Sequence, residues 1–323
     1  MAQRRILIFG ASYGALLGVK LALAGHAVTL VCREANAALI NAQGVIVRMP
    51  VKGREGLVDV RSRELAGTVR ATTPGAANPE DYDLVVLAMQ EPQYRSPGVR
   101  ELLDRAARSR VPCMSIMNMP PPPYLARIEG IDPAPCDESY TDSSLWESFE
   151  PGLVTLCSPD PQAFRPPDAP GNVLLVRLPT NFKVARFASD AHTALLRELS
   201  EGIESARLPV DGEGIDLPVK LKVHDSLFVP LAKWSMLLAG NYRCVLDDGV
   251  RSIREAVHGE IEAARSVYDW VVELCLALGA SLSDMVPFPK YALAAQSLQA
   301  PSSAARALAA GAPHIERVPS PSE

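Results

Sequence analysis

Hydrophobic residues near the start of the chain switch between two kinds of spacing. Residues 6–9 (Ile-Leu-Ile-Phe) form a continuous apolar run, which is typical of a strand buried on both faces of a parallel sheet. Over residues 14–23 the apolar positions follow helical spacing, and Gly25 then ends that pattern. Residues 28–31 form a second apolar run, so residues 5–32 predict one strand–helix–strand unit.

The alternation of strands and helices continues to about residue 130. Two further apolar runs lie before and after a predicted helix that passes through Leu102 and Leu103, and two β-rich stretches precede both runs. The runs cover residues 84–88 and 113–117, and the β-rich stretches lie near residues 45–48 and 57–60. Strands that alternate with helices predict an α/β fold, here a Rossmann-type doubly wound parallel sheet.

The second half of the chain is richer in helical spacing, which begins at about residue 188. Its predicted elements are strands at 153–157 and 173–178, a proline-rich loop at 159–170, and helical patterns at 218–241 and 252–278. Pro230 should kink or divide the first of these helical patterns. We therefore predict a Rossmann-like domain over residues 1–185, a mainly helical domain over residues 186–316 and a disordered Pro/Ser-rich tail over residues 317–323.

Composition narrows the function classes. The net charge of −5 argues against nucleic acid as the main partner, because phosphate binding needs a basic surface. No run reaches the roughly 18 apolar residues of a membrane helix, and residues 1–5 lead into a strand without a signal-peptide pattern, so we expect a cytoplasmic protein that does not enter a membrane. The six cysteines are scattered without a C-x-x-C pair, which predicts reduced thiols and no metal site.

The turn after the first strand carries a glycine pattern. It runs Gly10-Ala11-Ser12-Tyr13-Gly14-Ala15, close to G-x-G-x-x-G/A with Ser12 in place of the second glycine. Gly10 would form the tight turn, Ala15 would allow close helix–strand packing, and the helix opening at about Gly14 would point N–H groups at a phosphate. We therefore predict nucleotide binding by residues 10–14. The alternative is an ordinary tight turn between a strand and a helix.

The end of the second strand indicates which dinucleotide the site prefers. NAD-preferring sites usually carry an acidic residue there, whereas this chain has Cys32-Arg33, and an arginine suits the 2′-phosphate of NADP. The next residue, Glu34, could serve a ribose diol instead, and Arg33 could be a solvated surface arginine. We favour NADP(H) as the cofactor.

At this point the residues resemble a family. The run from Ile6 through Gly18, together with residues 23–33 (Leu-Ala-Gly-His-Ala-Val-Thr-Leu-Val-Cys-Arg), resembles the start of the 2-dehydropantoate (ketopantoate) reductases. The resemblance continues at residues 41–45 and 82–88. It implies an N-terminal Rossmann domain, a helical C-terminal domain and an active site in the cleft between them.

The resemblance also implies roles for individual residues. Asp225, Lys233 and Asn241 match the spacing of the family's catalytic helix, with Lys233 as the proton donor and Asn241 two helical turns further on. Asn118 matches an asparagine that follows a sheet strand and lies near cofactor and substrate. The remaining implied contacts are Gln90 to the cofactor, where the family commonly has lysine, and Ser302, Ser303 and Glu316 to the substrate.

Each of these residues also has a purely structural interpretation. Lys233 precedes Trp234 and could be a surface lysine that reaches solvent along an apolar surface. Asn241 could cap a helix end after Gly240, and Ser302 or Ser303 could be the N-cap of the alanine-rich helix that follows.

The leading functional prediction is an NADPH-dependent reductase that converts a 2-oxo acid such as ketopantoate to the 2-hydroxy acid. The altered segment Asn118-Met119-Pro120 and Gln90 favour a relative that acts on another carbonyl, an imine or an alcohol. Leu237, where the family often has asparagine, favours a sensor that binds NADP(H) without turnover. A homodimer through the helix at 252–278 is expected by analogy.

Overall fold

An eight-stranded sheet forms the centre of the structure, a computed structural model that describes residues 2–311. The strands in chain order are β1 (Arg5–Phe9), β2 (Ala27–Val31), β3 (Ile46–Pro50), β4 (Leu57–Arg61), β5 (Thr68–Thr72), β6 (Leu84–Leu87), β7 (Cys113–Ile116), β8 (Val154–Ser158), β9 (Gln162–Phe164), β10 (Val173–Leu178), β11 (Phe182–Ala185), β12 (Leu208–Val210), β13 (Glu213–Ile215), β14 (Leu221–His224), β15 (Val245–Leu246) and β16 (Gly249–Val250). The large sheet has the order β14-β11-β8-β7-β6-β1-β2-β5. Its strands from β8 to β5 are parallel, and β11 pairs antiparallel with β8.

Helices cover both faces of this sheet. They are α1 (Tyr13–Leu23), α2 (Glu34–Gln43), α3 (Val99–Ser109), α4 (Pro122–Leu125), α5 (Asp190–Ser205), α6 (Lys233–Met236), α7 (Ile253–His258), α8 (Ile261–Ala277), α9 (Phe288–Ala295) and α10 (Ser303–Ala309). Alternate residues of β1 enter different cores, with Ile6 and Ile8 in one and Leu7 and Phe9 in the other. A strand buried on both faces needs apolar residues at every position, which explains the continuous run. The predicted doubly wound α/β fold is confirmed.

A smaller sheet of order β4-β3-β10-β9 lies beside the large one. The β-rich stretches near residues 45–48 and 57–60 correspond to β3 and β4, which pair antiparallel. The strand predicted at 173–178 is β10, which pairs parallel with β3. The chain therefore returns from the large sheet to the small sheet between β8 and β10.

Two helical predictions are wrong in their extent. The segment at 218–241 contains β14 and an irregular stretch before a helix starts at Lys233, because β14 completes the parallel pairing with β11 and Pro230 interrupts the backbone hydrogen bonds. The pattern at 252–278 forms two helices, α7 and α8, which are separated at Gly259 and Glu260. Periodicity alone does not distinguish one long helix from two that share a buried face.

The large sheet also continues beyond the division predicted at residue 185. β14 pairs with β11, and α5 packs against α1 and β14, so the chain up to His224 contributes to the sheet layers. A third hydrophobic cluster, which includes Ala239, Tyr268 and Phe288, lies in the helical part. The two-domain division at 185 and 186 stays a prediction, and the predicted tail at 317–323 lies outside the described residues.

The cysteines and the lengths of the helices add two further observations. All six cysteines are free thiols, four of them buried and two half-buried. Among residues 2–311, no helix combines the length and apolar character that crossing a membrane would require.

Candidate active site

The carboxyl ends of β1, β6, β7 and β8 meet at one edge of the large sheet, because these strands run parallel. Gly10 follows β1, Gln90 comes three residues after β6, and Asn118 comes two residues after β7. Residues that are far apart in the sequence are therefore brought to a common edge. In open α/β sheets ligands bind outside this edge.

The turn after β1 has the conformation that a glycine allows. Gly10 has a φ of +94°, and a Cβ atom there would lie 2.8 Å from the carbonyl oxygen of Ala88. Its N–H donates to the carbonyl oxygen of Val31 at 2.9 Å, which draws the turn toward β2. A side chain at residue 10 would thus clash with Ala88, the residue after β6. A glycine at this position is also what the tight turn of a dinucleotide-binding site requires.

Helix–strand packing at this turn depends on Gly14 rather than on Ala15, to which the sequence analysis assigned it. A Cβ atom on Gly14 would lie 2.6 Å from Cγ2 of Ile8, so only glycine lets α1 approach β1 this closely. Ser12 is half-buried at the position before α1, and its carbonyl oxygen accepts from the N–H of Ala15 at 2.9 Å. The first N–H groups of α1 thus open at the carboxyl edge, where they can hold an anion.

Arg33 lies where the sequence analysis expected it, exposed and directly before α2. A second arginine, Arg165, lies in the same region and was missed. Its guanidinium donates to the carbonyl oxygen of Ala11 at 2.8 Å. Burial lowers the pKa of Arg165, the nearby Cys32 opposes that change, and the positive charge of Arg33 adds to it. Two cationic side chains therefore flank the carboxyl end of β2.

The segment that carries Arg165, residues 159–165, connects the turn after β1 (residues 10–14) to Lys233. The hydroxyl of Tyr13 donates to the carbonyl oxygen of Pro161 at 2.6 Å. At the other end of the segment, the carbonyl oxygen of Pro159 accepts from Nζ of Lys233 at 2.6 Å. The sequence predicts this stretch only as part of a proline-rich loop at 159–170, because prolines carry no signal for a ligand site.

Lys233 is the first residue of α6, and its side chain is 20% exposed. The adjacent Trp234 donates from Nε1 to the carbonyl oxygen of Asn118 at 3.1 Å, which joins α6 to the segment after β7. Nζ of Lys233 also lies 3.5 Å from Oδ1 of Asp160. The structure thus brings Lys233 and the Asn118 segment together, and this placement is unlike that of a solvated surface lysine.

Asp160 was not among the predicted site residues, yet its carboxylate contacts three polar side chains, those of Lys233, Lys183 and Ser158. Its Oδ2 lies 3.1 Å from Nζ of Lys183, and its Oδ1 accepts from the hydroxyl of Ser158 at 2.9 Å. Burial by itself would raise the pKa of Asp160, but the charges of Lys233 and Lys183 together with the Ser158 hydrogen bond hold it below its usual value. Asp160 is therefore an anion that bridges two lysines.

The helix after Lys233 differs from the continuous α-helix that the sequence analysis assumed. Residues Leu237–Asn241 form a π-helical turn. A wider turn changes the rotation per residue, so Asn241 does not lie two α-helical turns from Lys233. Asp225 lies outside this helix, in the stretch after β14, where it pairs with Arg197 at 2.5 Å.

Ser302 is the N-cap of α10, as its structural interpretation expected. Its hydroxyl accepts from the N–H of Ala305 at 3.1 Å and donates to the carbonyl oxygen of Asn241 at 2.6 Å, and the residue is 3% exposed. Ser303 is exposed, Gln90 is exposed with its N–H donating to Oε1 of Gln93, and Glu316 lies outside the described residues. Substrate contacts by Asn241, Ser302, Ser303 and Glu316 stay predictions.

Comparison with known proteins agrees with the resemblance. Residues 6–118 match the family model described as ketopantoate reductase PanE/ApbA. This stretch contains the turn after β1, Arg33, Gln90 and Asn118, but not Lys233. A search of curated proteins gave no significant match.

Solved structures share the fold over most of the chain. The 2-dehydropantoate 2-reductase from Methylococcus capsulatus has a TM-score of 0.62 at 14% identity, with 95% of this chain and 84% of that chain covered. The PanE/ApbA family ketopantoate reductase from Ralstonia eutropha JMP134 has a TM-score of 0.59 at 17% identity, with 95% and 86% covered. The ternary structure of D-mandelate dehydrogenase with NADH and anilino(oxo)acetate has a TM-score of 0.53 at 15% identity, with 91% and 79% covered.

Proposed function

Taking residues 6–118 as a domain of the ketopantoate reductase PanE/ApbA family, we propose that this chain is an NADPH-dependent reductase of a 2-oxo acid. The observation that carries the proposal is the position of Lys233. Its Nζ lies at the carboxyl edge of the sheet, against the carbonyl oxygen of Pro159, and the adjacent Trp234 contacts the segment after β7. A cation at this edge is suited to a substrate whose oxygen gains negative charge during the reaction.

The cofactor proposal rests on the two turns at the ends of β1 and β2. Gly10 and the start of α1 would hold the pyrophosphate, and Arg33 with Arg165 would hold the 2′-phosphate of NADP(H). The bound dinucleotide would supply the hydride for carbonyl reduction. D-mandelate dehydrogenase, which shares the fold, was solved with NADH, and the two arginines of this chain favour the phosphorylated form.

Lys233 would complete the reduction. When the carbonyl carbon is reduced, its oxygen becomes negative, and the ammonium group of Lys233 donates a proton that forms the new O–H bond. Asn118, at the end of the neighbouring strand, would orient the substrate. Lys233 regains its proton from solvent before the next turnover.

The first experiment is a titration with NADPH and with NADH, followed by NADPH oxidation on a panel of 2-oxo acids that includes ketopantoate. We expect tighter binding of NADPH and oxidation by at least one 2-oxo acid. Failure to bind either nucleotide would overturn the whole proposal, whereas turnover only on an imine or another carbonyl would replace the substrate class.

Substitution of Lys233 tests its role directly. We expect Lys233→Ala to keep NADPH binding and to lower kcat by about a hundredfold or more, because it removes the proton donor. The matched control is Lys222→Met, since Lys222 pairs with Glu204 at 2.7 Å and is 42% exposed. Unchanged turnover in Lys233→Ala would refute this assignment.

A non-catalytic NADP(H) sensor is the second candidate. It is favoured by the contact between Nζ of Lys233 and the carbonyl oxygen of Pro159, which engages the lysine with the protein itself. Tight NADPH binding without oxidation on the panel would support the sensor over the reductase.

A further inference from the structure

Asp160 lies at the junction of three elements that the sequence separates widely. It follows β8, its Oδ1 lies 3.5 Å from Nζ of Lys233 at the start of α6, and its Oδ2 lies 3.1 Å from Nζ of Lys183 in β11. Its side chain is 18% exposed. One carboxylate is thus divided between two cations.

The position of Asp160 is set by the sheet. Lys183 is paired in register with Ser158, the last residue of β8, and the hydroxyl of Ser158 donates to Oδ1 of Asp160 at 2.9 Å. The carbonyl oxygen of Pro159 accepts from Nζ of Lys233 at 2.6 Å. Strand pairing therefore fixes the carboxylate of Asp160 and the carbonyl group of Pro159, which together orient the side chain of Lys233.

We propose that Asp160 is a positioning residue for Lys233, and that Lys183 weakens the electrostatic effect of Asp160 on Lys233 by pairing with the same carboxylate. This inference rests on the proposed function, in which Lys233 donates a proton. An opposite charge within about 4–6 Å favours the charged form of a group, and that form is the one that can donate. The hydrogen bond to Pro159 and the ion pair to Asp160 also restrict the orientation of the Lys233 ammonium group.

Other groups facing Lys233 support this division of roles. The thiol of Cys157 lies near Lys233, and burial raises its pKa well above the usual value, so the thiol stays neutral. Lys183 lies behind Asp160 and has the same charge as Lys233, with His224 beside it. Burial and the charge of Lys183 lower the pKa of His224, so that imidazole is neutral at pH 7 and above. Among these groups, Asp160 supplies the negative charge.

Two substitutions should move the alkaline limb of the reductase pH profile in opposite directions. Asp160→Asn keeps the shape but removes the charge, so the alkaline limb of the reductase pH profile should move about one unit to lower pH and kcat should fall about tenfold. Lys183→Met removes the second cation from the carboxylate, so the same limb should move to higher pH. A merely structural ion pair would lower stability in both variants without opposite shifts.

The measurements are kcat, KM and the pH profile, together with the titration of Lys233 followed through its Cε shift in protein labelled with ¹³C-lysine. The Lys233 signal is identified by its loss in Lys233→Arg, and Lys222→Met is the control variant. NADPH affinity should stay within about twofold, since none of these residues is assigned to the cofactor.

The outcomes separate this inference from the proposed function. Opposite shifts in the two variants support it, and unchanged or parallel shifts overturn it. Wild-type protein without turnover on any carbonyl substrate overturns the proposed function. In that case, an unchanged Lys233 titration in Asp160→Asn also overturns the electrostatic role of Asp160. A shifted titration in the same variant supports that electrostatic role but shows that it does not serve a reductase reaction.

Discussion

At the scale of single residues, Lys20 shows how burial changes a side chain's chemistry. It lies in the last turn of α1, is 1% exposed, and donates from Nζ to the carbonyl oxygens of Leu217 at 3.1 Å and Pro218 at 2.9 Å. Burial lowers its pKa to about 7, with a further lowering from Lys220 and a partial opposing effect from Asp216. Folding therefore disfavours the charged form of this lysine.

We predict a pH-dependent stability from Lys20. Because its pKa is about 7 when folded and about 10.4 when unfolded, the unfolded chain binds more protons between these values. The free energy of unfolding should therefore rise with pH from about 7 to about 10, by up to about 1.4 kcal/mol per unit. Urea unfolding of wild type and Lys20→Met measures this rise, and equal slopes in both proteins would contradict the prediction.

At the scale of elements, the segment of residues 159–165 connects the two parts of the candidate site. Its Pro161 and Arg165 contact Tyr13 and Ala11 in the turn after β1, and its Pro159 and Asp160 contact Lys233 in α6. Proline fixes φ and removes a hydrogen-bond donor, so Pro159 and Pro161 present carbonyl oxygens without competing N–H groups. Both carbonyl oxygens accept hydrogen bonds from site residues.

Arg165 provides the prediction that belongs to this segment. We expect Arg165→Leu to weaken NADPH binding by about tenfold or more and to leave NADH nearly unchanged, because hydrogen bonds to a charged group contribute about 1.5–3 kcal/mol. If Arg165 only braced the carbonyl oxygen of Ala11, both nucleotides would bind more weakly to the same degree. Arg177→Leu is the matched control, since Arg177 lies over the Phe164 ring at 4.8 Å. Titrations of each variant with NADPH and with NADH distinguish these two outcomes.

At the scale of the whole molecule, α8 exposes apolar side chains that its own chain leaves uncovered among the described residues. Trp270 is 58% exposed and Leu274 is 39% exposed, and their spacing places them on one helix face. This helix lies within the pattern at 252–278, through which the sequence analysis expects a homodimer.

The dimer prediction has a direct test. We expect wild-type protein to sediment as a dimer and Trp270→Glu to shift it to monomer, because a buried charge without a partner opposes association. Leu57→Glu is the control, since Leu57 is 50% exposed on β4 in the small sheet. A monomeric wild-type protein would contradict the prediction.

The sequence by itself determined the first strand–helix–strand unit, the parallel sheet and the turn at Gly10. These features depend on neighbouring residues: a strand buried on both faces must be apolar throughout, and a tight turn needs glycine. The same locality let the sequence place Arg33, Gln90 and Asn118 after their strands.

The tertiary structure alone decided which other side chains share the site. Arg165 and Ala11 are 154 residues apart, and Pro159 and Lys233 are 74 apart, yet each pair is joined by a hydrogen bond. Asp160 and Lys183 carry no local signal, because an acidic residue in a loop and a lysine at a strand end are ordinary surface patterns. The π-helical turn before Asn241 was likewise hidden, since apolar periodicity does not record where a helix widens. Contacts of this kind depend on strand order and packing. These bring together residues that are far apart in the sequence, and the local sequence around one residue carries no information about the other.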